Sequence, residues 1–351
     1  MPTPYTSEFL HQILSKATAA NASDVHIKVG QPPGARIGGR MVYFRMDKVR
    51  PEDTASAVEV ILNTTTFKGE LSTLLEYDTS YSAPAIGRFR VNIYRQRGSL
   101  AVVMRSIPLT IPTFDALGAP PAAKLLAERE RGLVLVVGAA GNGKSSTLAA
   151  MVGYMNRTRP IHVVTIEDPI EFLHVDEVAS ISQREVGLDT PSFATALRAA
   201  MRQDPDVIQV GEIRDRETMD IALKAGETGH LVLSTLHTPD VSRTINRMLS
   251  LFDQVDPGEL RDRIADSLQG IIAQRLMPRK DGNGLVLVAE VLVMTGTARE
   301  SIRRPENSPS LKDVMEKGVH PHGMQTFEMH LRQLVQQGVV DKEVARAAVG
   351  F

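Results

Sequence analysis

Apolar side chains at Phe9, Leu10, Ile13 and Leu14 recur at one, three and four residues, the spacing of a helix face turned toward a core. The period then changes. Over 23–30 (SDVHIKVG) Val25, Ile27 and Val29 alternate with polar residues, which predicts a half-buried strand. ARIGGRMVYF predicts a hairpin turning at Gly38-Gly39, and two helical segments are expected around 51–74. The stretch GRFRVNIYRQRGSLAVVMRSIP (87–108) reads as two more strands joined by a turn near Gly98. Pro108, Pro112, Pro120 and Pro121 punctuate a segment with little pattern, so 108–120 is expected to be a linker.

Beyond the linker the texture differs. Runs at 133–137, 162–166, 207–210 and 231–236 are almost wholly apolar and are separated by stretches long enough for helices. Strands without alternation are buried on both faces, so this pattern predicts a parallel sheet covered by helices on each side. KDGNG between the runs 274–276 and 285–293 predicts an antiparallel hairpin, and the tail from about 296 reads as several short helices. At roughly 150 residues per domain, 351 residues allow two domains. They are expected at 1–107 and, after the linker, at 121–351.

Composition mostly excludes. Forty basic and 41 acidic side chains leave a formal charge of −1, with no global attraction for nucleic acid or an anionic membrane. The absence of cysteine removes disulfides, thiol catalysis and cysteine-ligated metal sites. The opening MPTPYTSEFLHQILSK has no basic stretch followed by an apolar one, and no apolar run approaches the ~20 residues of a membrane helix. A soluble, cytoplasmic protein is expected.

The strongest local signal is a phosphate-binding loop. Gly138, Ala139, Ala140, Gly141, Asn142, Gly143, Lys144 and Ser145 fit G-x-x-x-x-G-K-[ST], with an apolar strand before them and a helix opening at Ser146. Glycines let the backbone curl so that its N–H groups face phosphate oxygens, and the helix N-terminus adds positive potential. Lys144 is expected to neutralise the β and γ phosphates, and the Ser145 hydroxyl to ligate Mg²⁺. Two other apolar runs end in acids: VVTIEDPIEF delivers Glu167 and Asp168, and VIQVGE delivers Glu212. Carboxylates at strand ends suit holding a divalent cation and orienting an attacking water, and at this level either could do either.

The ordered blocks GAAGNGKS, IEDPIEF, LRAAMRQDPDVIQVGEIRDRET and AGETGHLVLSTLHT resemble the Walker A, Asp box, Walker B and His box of the secretion ATPase superfamily, the motors of type II secretion and type IV pili. The likeness runs from about 23 to 340. Within it the chain is most similar to PilT-type pilus retraction ATPases, through SDVHIKVGQPP…GGR near the start and MQTFEMHLRQLVQQGVV near the end. The four-cysteine zinc element usual in assembly and secretion members has no counterpart here. The retraction signature AIRNLIRE aligns with TARESIRR at 297–304 and shares Arg299, Ile302 and Arg303. REVGLDTPSF is similar to the accessory PilU-like paralogues.

The resemblance implies an α/β protein with a RecA-like P-loop NTPase core and a smaller N-terminal PAS-like α+β domain. It implies a Mg²⁺-dependent ATPase, working as a homo-hexamer that powers pilus retraction and twitching motility through nucleotide-driven domain closure. Its cofactors would be ATP and Mg²⁺. Its partners would be an inner-membrane platform protein, at whose cytoplasmic base it is recruited, and a paralogous pilus ATPase, with no nucleic acid and no direct membrane insertion. By the same likeness Glu167 resembles the glutamate that polarises water, and Glu212 the Walker B glutamate beside Mg²⁺. His230 and His237 then sense the γ-phosphate or an interface, His230 with the stronger claim. Arg90 and Arg105 match positions where the N-terminal domain supplies arginines to bound phosphate. Arg88, Arg95 and Arg97 read instead as a solvated basic face with carboxylate partners. The alternatives are an accessory PilU-like or an assembly ATPase, a nucleotide-binding subunit without turnover and, more remotely, a RecA-like DNA motor. A DNA motor wants a basic strip and stacking aromatics, whereas this chain has no tryptophan and only 5% aromatic residues.

Overall fold

The structure, a computed structural model, describes residues 6–108, 110–252 and 255–349. Residues 1–5, 109, 253–254 and 350–351, which fall in the expected N-terminal domain, linker and larger domain, lie outside the described residues. The chain separates into two compact units. Unit 1 comprises Met1–Thr110 with the short pieces Glu171–Leu173 and Glu185–Asp189; unit 2 comprises the remainder.

In unit 1, helix α1 (Ser7–Ala19) is capped by Thr6, whose hydroxyl accepts from Phe9 N, and it buries Leu10, Ile13, Leu14 and Ala17. Strands β1 (Asp24–Lys28), β2 (Gly34–Ile37) and β3 (Arg40–Tyr43) follow. Helix α2 (Pro51–Leu62) starts on a proline and a reciprocal Arg50–Asp53 cap. Strands β4 (Glu76–Ala83), β5 (Gly87–Gln96) and β6 (Ser99–Ser106) complete an antiparallel sheet in the order β3-β2-β1-β6-β5-β4. Its core joins Phe89, Val91 and Ile93 of β5 and Ile27 of β1 to the apolar faces of both helices. The second helix expected before residue 74 is absent. Residues 64–74 form turns instead, held by the Arg95 guanidinium, which donates to the carbonyls of Leu71 at 2.7 Å and Leu74 at 3.0 Å. Strand β4 was not anticipated because its sequence, EYDTSYSA, is mostly polar; it nevertheless buries Thr79, Ser80 and Tyr81.

Unit 2 begins with the short helices α3 (Phe114–Leu117) and α4 (Ala122–Ala127). Part of the segment expected to be a patternless linker is therefore helical: Thr113 caps α3, and the Phe114 ring lies 5.7 Å from that of Tyr154. Then come β7 (Gly132–Val137), α5 (Lys144–Thr158), β8 (His162–Glu167), β9 (Ser180–Glu185), α6 (Phe193–Ala200), β10 (Val207–Val210), α7 (Arg216–Glu227) and β11 (Leu231–Leu236). After α8 (Val241–Ser250) and α9 (Pro257–Ser267), β12 (Leu268–Pro278) and β13 (Leu285–Val293) form the expected hairpin. Helices α10 (Gly296–Arg303), α11 (Leu311–Lys317), α12 (Phe327–Gln336) and α13 (Lys342–Val349) make up the tail. The seven-stranded sheet has the order β13-β12-β7-β11-β10-β8-β9, and β12, β7, β11, β10 and β8 run parallel. Every residue of β7, β10 and β11 is buried, whichever face it projects from, so helices must cover both sides. Among the described residues no helix is long and apolar enough to cross a membrane.

Arg88 departs from its expected solvated setting. Its side chain is 16% exposed, and Nη2 donates at 2.7 Å both to Glu185 Oε2 and to Ser80 Oγ, Glu185 being 3% exposed. Breaking a buried ion pair from one side leaves the other charge without its counter-ion. Arg88→Ala is therefore expected to cost about 3–5 kcal/mol in urea unfolding, while the paired change Arg88→Met with Glu185→Leu should cost far less.

Candidate functional site

Parallel strands bring their carboxyl ends to one rim, and register decides what stands there. Val137 lies beside Leu236, Ser234 beside Val210, and Val210 beside Ile166. Immediately after these positions the chain supplies, in spatial order, the glycine-rich loop after β7, His237 after β11, Gly211 and Glu212 after β10, and Glu167 at the end of β8.

The loop has the curvature its glycines allow. Gly138 adopts φ +152°, and a Cβ there would sit 2.6 Å from the Gln274 carbonyl, so only glycine fits against β12. Gly143, at φ +78°, is the N-cap of α5 and turns the chain into the helix that begins at Lys144. Lys144 is 8% exposed; its ammonium donates at 3.0 Å to the carbonyls of both Gly138 and Ala139, folding back across the loop mouth. Ala139, Ala140 and Gly141 are exposed, while Ser145 and Ser146 are half-buried in the first turn of α5. Two contacts brace the loop from β12: Leu276 N donates to Asn142 Oδ1 at 3.1 Å, and Gln274 Nε2 donates to Thr147 Oγ1 at 2.7 Å.

Glu167 is 8% exposed, and its Oε1 accepts from the Thr165 hydroxyl at 2.7 Å and from Gln183 Nε2 at 3.2 Å. Glu212 is engaged at both oxygens. Oε1 is paired with Arg214, and Oε2 lies 3.2 Å from His237 Nε2. The Glu212 carboxylate raises the Arg214 pKa above its ordinary value, and Asp168 adds to the effect. His237 is thus the histidine at the loop end of β11. His230, given the stronger claim from sequence, stands before β11, where its carbonyl accepts from Gly132 N and its Nδ1 lies 3.1 Å from Ala225 O. At the usual strand rise that is roughly 20 Å from the rim, because a seven-residue spacing spans the whole strand.

Arg90 and Arg105 belong to unit 1, where they face one another across β5 and β6. Arg90 is exposed; Arg105 Nε donates to Asp24 Oδ1 at 2.9 Å, although its side chain is 70% exposed. At 297–304, the three residues shared with the retraction signature are committed to packing α10 on α9. Ile302 is buried, Arg299 donates to the carbonyls of Ala265 and Asp266, and Arg303 pairs with Asp262 and Asp266. Of the five positions that differ from it, Thr297, Glu300 and Arg304 are exposed, whereas Ala298 and Ser301 are buried. Sequence reasoning missed Gln183, Asn156, Gln274 and Arg214. Arg214 lies within the block resembling Walker B but was given no role there, and the other three are brought in by contacts distant in sequence.

The description "Type II/IV secretion system protein" belongs to the family whose model matches residues 85–346. The Type IV pilus retractation ATPase PilT of Pseudomonas aeruginosa is 39% identical over 335 residues, covering 95% of this chain and 96% of that one. The Type IV pilus ATPase PilU of the same organism is 40% identical over 336 residues, covering 96% and 87%. A crystal structure of the pilus retraction motor PilT with bound ADP superposes with a TM-score of 0.85 at 38% identity, covering 97% of each chain.

His174 lies in the turn between β8 and β9, and burial, with Arg157 nearby, depresses its pKa to about 4 from an ordinary 6.5. The unfolded chain binds this proton more tightly than the folded one, so stability falls as pH drops from 6.5 toward 4. The shift corresponds to about 3 kcal/mol at most. Urea midpoints measured across that window are expected to fall more steeply for the wild type than for His174→Phe, with the two converging at neutral pH.

Proposed function

The chain belongs to the type II/IV secretion system protein family, as a PilT-like member of the secretion ATPase superfamily, and from that membership we propose that it is the ATP-hydrolysing motor of type IV pilus retraction. What carries the proposal is the single rim on which a phosphate-binding loop, two carboxylates and a histidine stand at the ends of adjacent parallel strands. The backbone N–H groups of 139–146, at the start of α5, bind the phosphate chain, and Lys144 leaves its carbonyl partners to neutralise the β and γ phosphates. The donor set suits magnesium, since a hydroxyl at Ser145 and a carboxylate at Glu212 are hard oxygen ligands and no thiol competes. These two residues would hold Mg²⁺, which supplies Lewis-acid stabilisation of charge on the phosphates.

Glu167 polarises the attacking water, and His237 reports the γ-phosphate to Glu212, with which it is already in contact. Arg90 and Arg105 of an N-terminal domain over 1–107 reach the phosphates, a task suited to a permanently charged, bidentate guanidinium. Six copies form a ring, and nucleotide-driven closure of the two domains, repeated around it, does work on the pilus through a platform protein at the inner membrane.

A second reading is an accessory, PilU-like role. Identity to PilU equals that to PilT within one percentage point, and the exposed positions of 297–304 differ from the retraction signature. Deleting the gene in its host separates the two. Surplus pili that no longer retract mark the main motor; retraction that persists under low load but stalls under high load marks the accessory; bald cells overturn both.

In purified protein, Lys144→Ala should abolish ATP binding and phosphate release. Glu167→Gln should retain nucleotide affinity while lowering turnover by about 10²–10⁴-fold. Arg105→Ala should lower turnover in the assembled ring without changing the unfolding midpoint, since its partner Asp24 also bonds Ser23 and pairs with Arg36.

A further inference from the structure

Glu167 is held by groups that no motif names, and they lead back to the helix that begins at the phosphate loop. The Gln183 side chain, on β9, bridges two partners: its Oε1 accepts from His174 N at 2.8 Å, and its Nε2 donates to Glu167 Oε1 at 3.2 Å. A backbone N–H can only donate, so this contact assigns the amide oxygen to the turn and leaves the NH₂ to face the carboxylate. The turn carrying His174 is in turn fastened to Asn156, which lies on α5 and is 2% exposed. Asn156 Nδ2 donates to Val175 O at 2.8 Å, its Oδ1 accepts from Glu177 N at 3.1 Å, and its backbone carbonyl accepts from both Val178 N and Ala179 N. A buried asparagine binding four separate backbone groups of one turn fixes that turn to α5 far more firmly than packing alone.

We propose that Asn156 and Gln183 are positioning residues for hydrolysis: they tie helix α5 through the 174–179 turn to the Glu167 carboxylate, so that the helix that receives the phosphates also sets the orientation of the group that activates water. Neither touches nucleotide. The carboxylate must present one oxygen to the water along a defined direction, and a misplacement of about 1 Å is enough to cost on the order of 10²-fold in rate. Gln183 and Thr165 both donate to Oε1, so that oxygen is held from two directions. The inference rests on the proposed ATPase reading, because it assigns a role through Glu167.

Gln183→Met keeps the side chain's length and removes the hydrogen bonds to His174 N and Glu167. It is expected to lower kcat for ATP about tenfold or more, with KM and nucleotide affinity within about twofold of wild type, alongside a modest drop in unfolding midpoint from the acceptor that His174 N loses. Placed on a Glu167→Gln background, the same change should cause no further loss, since the group it orients is already neutralised; a purely structural role would lower both backgrounds alike. Asn156→Ala, which loses both side-chain bonds to the turn but keeps the backbone carbonyl's contacts with Val178 N and Ala179 N, should show the same split of kcat from KM. A kcat within twofold of wild type for Gln183→Met, or an equal loss on both backgrounds, overturns the proposal. Phosphate release by Lys144→Ala at the wild-type rate would instead overturn the ATPase reading itself.

Discussion

Everything at the rim depends on the register of four parallel strands. β7, β11, β10 and β8 share a direction and terminate nearly level, so the residues that follow each are delivered side by side. A slip of one residue in any pairing would send its functional side chain to the opposite face. Buried hydroxyls reinforce the alignment where it matters most. Ser234 Oγ donates to Val210 O at 2.7 Å and Thr235 Oγ1 to Gly211 O at 2.8 Å, stitching the end of β11 to the turn that carries Glu212. Polar side chains in an otherwise apolar sheet are tolerated here because each finds a carbonyl that the ladder leaves available.

How much of this the sequence revealed divides along a physical line. Parallel strands buried on both faces give continuous apolar runs, and the phosphate loop is contiguous, so four strands of unit 2 between 133 and 236 could be read directly, while the edge strand β9, with the mostly polar sequence SISQRE, could not. The β12–β13 hairpin and the helical tail were equally legible. Strand β4 was not, because a strand rich in serine, threonine and aspartate carries no apolar period. Likewise the settings of Arg88 and Arg95 were misread, because their partners lie far away in sequence. Arg88 meets Glu185 97 residues away, and Arg95 meets carbonyls more than 20 residues back. Local pattern cannot show such pairings.

The two histidines show the same limit in another form. A spacing of seven says that both flank one strand, but a strand has two ends, and only the direction of β11 relative to β7 says which end shares a rim with the loop. His237 follows the strand and meets Glu212; His230 precedes it and meets the carbonyl of Ala225. At 297–304 the three shared residues hold α10 to α9, while the altered ones divide between buried Ala298 and Ser301 and outward-facing Thr297, Glu300 and Arg304. Arg299 and Arg303 carry internal hydrogen bonds and ion pairs, which a local reading of the segment does not show.

Strand β12 stands beside β7 in the sheet yet begins 130 residues after the glycine-rich loop begins, at Leu268 against Gly138. The loop leans on that strand through Gln274 and Leu276, and the glycine at 138 is shaped to fit its backbone. On the ribosome, which adds roughly 5–20 residues per second, the loop therefore waits many seconds for its own back wall to emerge. A nascent or prematurely terminated chain ending before β12 would carry the whole consensus and still lack the backbone against which Gly138 fits and the two side-chain bonds that brace the loop.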